Sequence, residues 1–183
     1  MTRIIAGQFG GRQLKTPPGD GTRPTTDRVR EALFSSLQSE LGGFDGLRVL
    51  DLFAGSGALG LEALSRGAES ADFVESDTRV AGVIKRNIAD LGVDHATVLR
   101  TTVDRFVRVP PPAPYDLVFL DPPYSLGTEE VTDLVAALTV PAWRTPDSVI
   151  VVERASRDPF TWPEGVERLR DKAYGETHLW YGR

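Results

Sequence analysis

The residues most suited to chemistry are Asp121, Pro122, Pro123 and Tyr124, which directly follow the apolar run Leu117–Leu120. Proline donates no hydrogen bond to a sheet and fixes φ, so two consecutive prolines predict that a strand ends here. The Asp121 carboxylate and the Pro122 carbonyl can then both accept hydrogen bonds from one exocyclic amino group. Tyr124 offers a flat surface for a base that has left its stack. We expect these four residues to form the catalytic group.

A second group of residues forms a glycine-rich turn. Gly55, Gly57 and Gly60 have the G-x-G-x-x-G spacing, after an apolar strand and before a helix. Gly55 and Gly57 allow a sharp turn and close approach of a ligand, whereas Gly60 allows the helix to pack near the strand. The spacing predicts a nucleoside cofactor, which could be a dinucleotide or S-adenosylmethionine.

Two carboxylates accompany the turn. Asp51 lies in the strand before it and suits the ammonium group of S-adenosylmethionine, although an acid here could also serve only the helix dipole. Glu75 ends the next strand, where it can accept hydrogen bonds from ribose hydroxyls in either cofactor class. Asp51 therefore favours S-adenosylmethionine, and Glu75 supports a nucleoside without choosing between the two.

These groups together predict methyl transfer to an amine. An exocyclic nitrogen is a poor nucleophile because its lone pair is delocalised, and acceptors for both of its protons localise that pair toward the methyl group. The chain contains no cysteine, which excludes C5 methylation of pyrimidines through a cysteine adduct and also thiolate metal sites. Its two histidines show no His–carboxylate spacing, so no metal is expected.

The elements that must position these residues alternate along the chain. Strands are predicted at 47–53, 70–75, 97–100, 117–120 and 148–152, and helices at 58–66, 79–91 and 129–138. This alternation is typical of a doubly wound α/β domain with a mainly parallel sheet. Two later runs, 167–173 and 176–181, predict an antiparallel hairpin at one edge of that sheet.

The charge is distributed unevenly. The 183 residues carry a net charge of −5, but residues 1–30 sum to +4, which leaves −9 for the rest. Runs at 3–5 and 12–15 predict a β-hairpin, and a loop rich in proline and glycine leads to a helix that begins after Thr25 or Thr26 and ends at Gly42. We therefore expect a basic arm, residues 1–24, on a domain of residues 25–183. The arm is the expected RNA-binding element, with candidate contacts at Arg3, Arg12, Lys15 and Arg23, together with Arg28 just beyond it.

The chain has no apolar stretch that approaches a membrane span and no signal-peptide core at its start, so a cytoplasmic protein is expected. Its sequence resembles class I S-adenosylmethionine-dependent methyltransferases, and more closely the bacterial RsmD-like family, which methylates guanine N2 in 16S ribosomal RNA. The resemblance is most specific in residues 3–15, 22–25 and 28–34, and it extends to the glycine turn and to Asp121–Tyr124.

The resemblance implies a seven-stranded, Rossmann-like fold and a monomer that acts on a partly or fully assembled small ribosomal subunit. Carried over by position, it also implies that Asp51, Gly55, Gly57 and Glu75 bind the cofactor. Phe53 and Ser56 of the glycine turn, with Thr102 and Val103 after the third strand, complete the expected cofactor-binding set. At the adenine edge such enzymes often have Asp or Asn, and here the backbone of Val103 or the neighbouring Asp104 would serve.

Three other functions fit parts of the pattern. The Asp-Pro-Pro-Tyr sequence also serves methylation of adenine N6 in DNA or RNA. The glycine spacing alone fits a dinucleotide-binding oxidoreductase. The basic arm alone fits an RNA-binding assembly factor without catalysis.

Overall fold

The structure is a computed structural model that describes residues 2–19 and 25–183. The strands are β1 (Thr2–Arg3), β2 (Gln13–Leu14), β3 (Arg48–Leu52), β4 (Ser70–Val74), β5 (Ala96–Leu99), β6 (Tyr115–Leu120), β7 (Arg144–Ala155), β8 (Arg168–Tyr174) and β9 (Thr177–Gly182). The helices are α1 (Asp27–Leu41), α2 (Ala58–Ser65), α3 (Thr78–Leu91), α4 (Val103–Phe106) and α5 (Thr128–Ala137). Within the described residues, no helix is long and apolar enough to cross a bilayer.

One seven-stranded sheet has the order β5-β4-β3-β6-β7-β9-β8. The strands from β5 to β7 are parallel, and β9 pairs antiparallel with both β7 and β8. The predicted doubly wound sheet and its terminal hairpin are therefore confirmed. The chain order reverses between β3 and β6, and ligands of open α/β sheets bind at the carboxyl ends of the strands beside such a reversal.

Helices cover both faces of the sheet. On one face α1, α2 and α3 pack through residues such as Leu33, Leu61 and Ile84. On the other face α4 and α5 contribute Val103 and Val131 to a second apolar cluster. The near-continuous apolar strands follow from this arrangement, since a sheet covered on both sides buries nearly every residue of its central strands.

The N-terminal hairpin packs against this domain. Ile4 and Leu14 are fully buried in the cluster that also contains Leu61. The strands β1 and β2 are shorter than predicted because the N–H groups of Ile5 and Ala6 leave the ladder and donate to the buried carboxylate of Glu62, over 2.7 and 3.0 Å.

The first long helix begins where the sequence predicts. The side chain of Thr26 caps α1 by accepting from the N–H of Val29, and Gly42 ends the helix in the left-handed conformation. Arg30 is only 1% exposed and donates to the carbonyl of Arg3 and to Asp27. One of the cations counted in the basic N-terminal segment is therefore buried and part of the core.

Candidate active site

The glycine turn connects β3 to α2 through a series of left-handed residues. Phe53 has φ +60°, Gly55 +57° and Gly57 +81°, and Gly57 is the N-cap of α2. A left-handed conformation is unfavourable for a bulky side chain such as that of Phe53, at a cost of about 1–2 kcal/mol. The turn therefore contains stored backbone strain at the carboxyl end of β3.

Gly60 brings α2 close to the sheet. A Cβ atom at this position would lie 2.4 Å from Cε1 of Phe73 on β4, a distance that real Cβ atoms do not adopt. The predicted role of the third glycine, close packing of the helix on the strand, is confirmed.

Asp51 lies near the end of β3, just before the glycine turn. It is 2% exposed, and its Oδ2 atom accepts a hydrogen bond from the N–H of Gly60 over 2.9 Å. Burial raises the pKa of Asp51 to about 8; the Gly60 hydrogen bond lowers it and the charge of Glu75 raises it further. The carboxylate thus serves the first turn of α2, and a cationic ligand group nearby would offset the cost of its burial.

Glu75, directly after β4, forms hydrogen bonds with the glycine turn after β3 and with the start of α3. Its Oε2 atom accepts from the N–H of Gly55 at 3.1 Å, and its Oε1 atom accepts from the N–H of Asp77 at 2.9 Å. Both oxygens are therefore oriented by backbone donors, which fixes the carboxylate at the mouth of the glycine turn.

A cavity of about 220 Å³ lies beside Glu75. It is bounded by the strand ends, by α4, by α5 and by the segment before α5. Its lining residues are Phe53, Val74, Glu75, Ser76, Thr101, Thr102, Val103, Asp104, Leu126 and Leu134. Four of the residues expected to bind the cofactor thus line one cavity, as does the alternative Asp104. The hydroxyl of Thr102 caps α4 by accepting from the N–H of Arg105, so it is already engaged within the protein.

The Asp-Pro-Pro-Tyr segment leaves the sheet at the end of β6, as predicted. Pro122 is buried, whereas Pro123 is exposed and Tyr124 is 41% exposed. The Pro123 carbonyl accepts from the N–H of Leu126 at 2.9 Å, and the Leu126 carbonyl accepts from the buried guanidinium of Arg154. The turn is held by its own backbone and by β7, and through Leu126 it adjoins the cavity.

The structure places at this edge of the sheet one further acid, Glu153, that was not predicted from the sequence. Glu153, near the end of β7, is 5% exposed, and its Oε2 atom accepts from the hydroxyl of Thr25 at 2.8 Å. Burial raises the pKa of Asp121, and the charges of Glu153 and Asp51 raise it further. In the sequence, Glu153 directly follows the apolar run Val149–Val152. An acid at the end of such a run indicates a position at this edge of the sheet.

The sequence matches one known protein family over nearly its whole length. The family described as "Conserved hypothetical protein 95" matches residues 2–183. The chain belongs to this family, the RsmD family. It is 39% identical over 175 residues to "Ribosomal RNA small subunit methyltransferase D" of Escherichia coli (strain K12), with 95% of this chain and 85% of that protein covered.

Other RsmD-family members show the same likeness. The protein of the same name from Haemophilus influenzae is 38% identical over 176 residues, which cover 94% of this chain and 89% of that protein. The solved structure titled "Putative methyltransferase yhhF from Escherichia coli" has a TM-score of 0.83 and 38% identity, with 99% of this chain and 96% of that chain covered. The expected class I methyltransferase fold is confirmed, and this fold supports S-adenosylmethionine as the cofactor.

The basic residues expected to contact RNA differ from one another in what they contact within the protein. Arg3 pairs with Asp27 at 2.8 Å, and Lys15 pairs with Asp90 at 2.5 Å. Arg12 donates to the carbonyl of Asp90, and Arg28 is exposed in the first turn of α1. Arg23 lies outside the described residues. Arg3, Arg12 and Lys15 thus hold the hairpin to the domain while their side chains remain at the surface.

Proposed function

We propose that the protein transfers a methyl group from S-adenosylmethionine to the exocyclic N2 of a guanine in 16S ribosomal RNA, within a partly or fully assembled small subunit. The position of Asp121 carries this proposal. It follows β6 next to the chain reversal, one strand away from the glycine turn, so an acceptor for amine protons adjoins the cofactor side of the sheet. The names of the relatives, which specify small-subunit ribosomal RNA, support the same substrate.

Asp51, Phe53, Gly55, Ser56, Gly57, Glu75, Thr102 and Val103 are the proposed cofactor-binding residues. Glu75 suits the ribose hydroxyls, because its carboxylate is fixed by two backbone donors. Phe53, Thr102 and Val103 suit the adenine ring as walls of the cavity beside it. A cationic ammonium group beside Asp51 would favour the ionised form of this acid, and the resulting electrostatic interaction is strengthened by burial.

Asp121 and the Pro122 carbonyl are the proposed acceptors for the two amine protons, and Tyr124 is the proposed stacking surface. When bound, S-adenosylmethionine supplies an electrophilic methyl group on a sulfonium ion. One N–C bond forms while one S–C bond breaks, the electron pair of the broken bond stays on sulfur, and N2 releases one proton through Asp121 to solvent. The rigid proline turn contributes by fixing the direction of approach.

Methyl transfer from labelled S-adenosylmethionine to undermethylated small subunits tests this function. We expect N2-methylguanosine after digestion of the RNA, and a loss of at least 100-fold in rate for Asp121→Ala with little change in S-adenosylhomocysteine affinity. Formation of N6-methyladenosine instead would show that the substrate base is adenine and not guanine. Wild-type activity in Asp121→Ala would contradict the assigned acceptor.

The arm, residues 1–24, is the proposed RNA-binding element, with contacts from Arg3, Arg12, Lys15 and Arg23, and Arg28 in the first turn of α1 is proposed to add a further contact. Neutralising Arg12, Arg23 and Arg28 is expected to weaken RNA binding and to reduce its salt dependence by about one unit per lost phosphate contact. Lys172→Gln, at the exposed edge strand β8, is the matched control. An equal loss of S-adenosylhomocysteine affinity in the arm variant would indicate a structural arm instead.

A further inference from the structure

Two carboxyl groups lie side by side where the target base is expected. In the parallel pair β6 and β7, Leu120 is opposite Val152, so the next residues, Asp121 and Glu153, occupy neighbouring positions. They lie on the sheet face that bears Phe119 and Val151, the face covered by α1 and α2. Glu153 is almost completely buried, which is unfavourable for a carboxylate unless donors are provided.

The described contacts give Glu153 one such donor, the hydroxyl of Thr25, on its Oε2 atom. A single neutral hydrogen bond compensates only part of the cost of burying a charge beside a second acid. Burial raises the pKa of Glu153 and of Asp121, and the charge of Glu153 contributes to the rise at Asp121. A ligand that presents N–H donors at two adjacent positions would favour the ionised form of both acids and offset the cost of their burial.

Guanine has this pattern on its Watson–Crick edge, where N1–H is adjacent to the N2 amino group. Adenine differs, because its N1 atom is an acceptor next to the N6 amino group and would face a carboxylate unfavourably. A site that hydrogen-bonds a substrate donor rejects the analogue that lacks it, since its own buried polar group is then left unpaired.

We propose that Glu153 is a specificity-determining residue of the acceptor site, which accepts a hydrogen bond from N1–H of the target guanine while Asp121 accepts from N2. The inference rests on the proposed function, because it assumes that the amine delivered to Asp121 belongs to guanine. It assigns the two acids different atoms of one base edge, and it explains why a second carboxyl is buried beside the first.

The test compares Glu153→Leu, Glu153→Gln and Thr25→Val on undermethylated small subunits. Glu153→Leu, of similar volume and without an acceptor, is expected to lower kcat/KM for N2-methylguanosine formation at least 30-fold, with S-adenosylhomocysteine affinity within twofold of wild type. Glu153→Gln retains an amide oxygen that can accept from N1–H and is expected to recover part of the activity. Thr25→Val removes only the hydroxyl contact and is expected to keep the preference for guanine.

The outcomes separate the alternatives. Transfer by Glu153→Leu within threefold of wild type would overturn the inference. A loss in Thr25→Val as large as that in Glu153→Leu would also overturn it, because Glu153 would then act only by securing the segment before α1. If the wild-type protein forms N6-methyladenosine, the proposed function itself fails, whereas N2-methylguanosine with a neutral Glu153→Leu rejects the inference alone.

Discussion

The carboxylate of Glu75 and the N–H of Gly55 form a 3.1 Å hydrogen bond that links the end of β4 to the glycine turn after β3. The other oxygen of Glu75 accepts from Asp77, the N-cap of α3. The acid is thus oriented before any ligand is present, by backbone groups from two neighbouring connections. Preorganised groups bind a ligand without the cost of ordering them on association.

Glu75→Gln is expected to weaken S-adenosylhomocysteine binding about 10- to 100-fold, as judged by the 1.5–3 kcal/mol typical of hydrogen bonds to charged groups. An amide offers one acceptor, so either Gly55 or Asp77 loses its partner as well. Calorimetric titration measures the effect, and Glu129→Gln, at an exposed position of α5, is the control. Affinity within twofold of wild type in Glu75→Gln would contradict the assignment.

Gly60→Ala is expected to destabilise the fold by about 1–3 kcal/mol, because its Cβ would overlap the ring of Phe73. The matched control is Gly82→Ala within α3, where a Cβ has open space. That change is expected to stabilise the protein by about 0.5–1 kcal/mol, since alanine favours the helix interior. Urea unfolding of both variants measures the difference, and equal effects would show that Gly60 is not a close-packing site.

Asp51 is expected to make stability depend on pH. Its pKa rises from the usual 3.8 to about 8 on folding, so the folded state binds more protons than the unfolded state between these values. The free energy of unfolding therefore falls as pH rises from about 4 to 8. Asp51→Asn removes this contribution, and its stability relative to wild type should increase by about 1 kcal/mol or more from pH 5 to pH 8.

Urea unfolding across this pH range measures the difference between the two proteins. Asp121 and Glu153 also have raised pKa values and are present in both proteins, and the charge of Asp51 contributes to the rise at Asp121. The comparison therefore measures Asp51 together with its interaction with Asp121. A difference in stability that does not vary with pH would show that Asp51 is ionised in the folded protein.

Glu62→Gln is expected to loosen the N-terminal hairpin. The fully buried carboxylate accepts from the N–H groups of Ile5 and Ala6 and from Arg66. An amide cannot accept from all three, and an unsatisfied buried donor costs about 1–3 kcal/mol. Faster hydrogen exchange at Ile5 and Ala6 measures the effect.

The control for this change is Glu31→Gln. Glu31 is 53% exposed and lies 3.8 Å from Arg66, and exposed ion pairs contribute little to stability. Unchanged exchange in Glu62→Gln would mean that the hairpin is held by its apolar contacts, Ile4 and Leu14, rather than by the carboxylate.

Much of this site follows from local sequence. The apolar strands and the prolines of Pro122–Pro123 define where chains leave the sheet, and parallel strands bring their carboxyl ends to one edge. The glycine turn, Glu75 and Asp121 could therefore be assigned to that edge before the fold was known. The capping of α1 by Thr26 was equally local, because it depends on side-chain and backbone groups within one turn.

The strand ends and the chemical character of the motif residues can be predicted from the sequence alone, because they depend on neighbouring residues. Which distant groups meet those residues depends on the folded arrangement of the chain. Arg30 is buried and Glu62 holds the hairpin because of contacts between segments far apart in the chain. Glu153 lies beside Asp121 because of the register of β7 against β6, which shifts between Tyr115 and Leu117. A slip of one residue would turn every side chain of β7 to the opposite face. In one direction, such a slip would bring Arg154, a cation, to the place beside Asp121 that Glu153 now occupies.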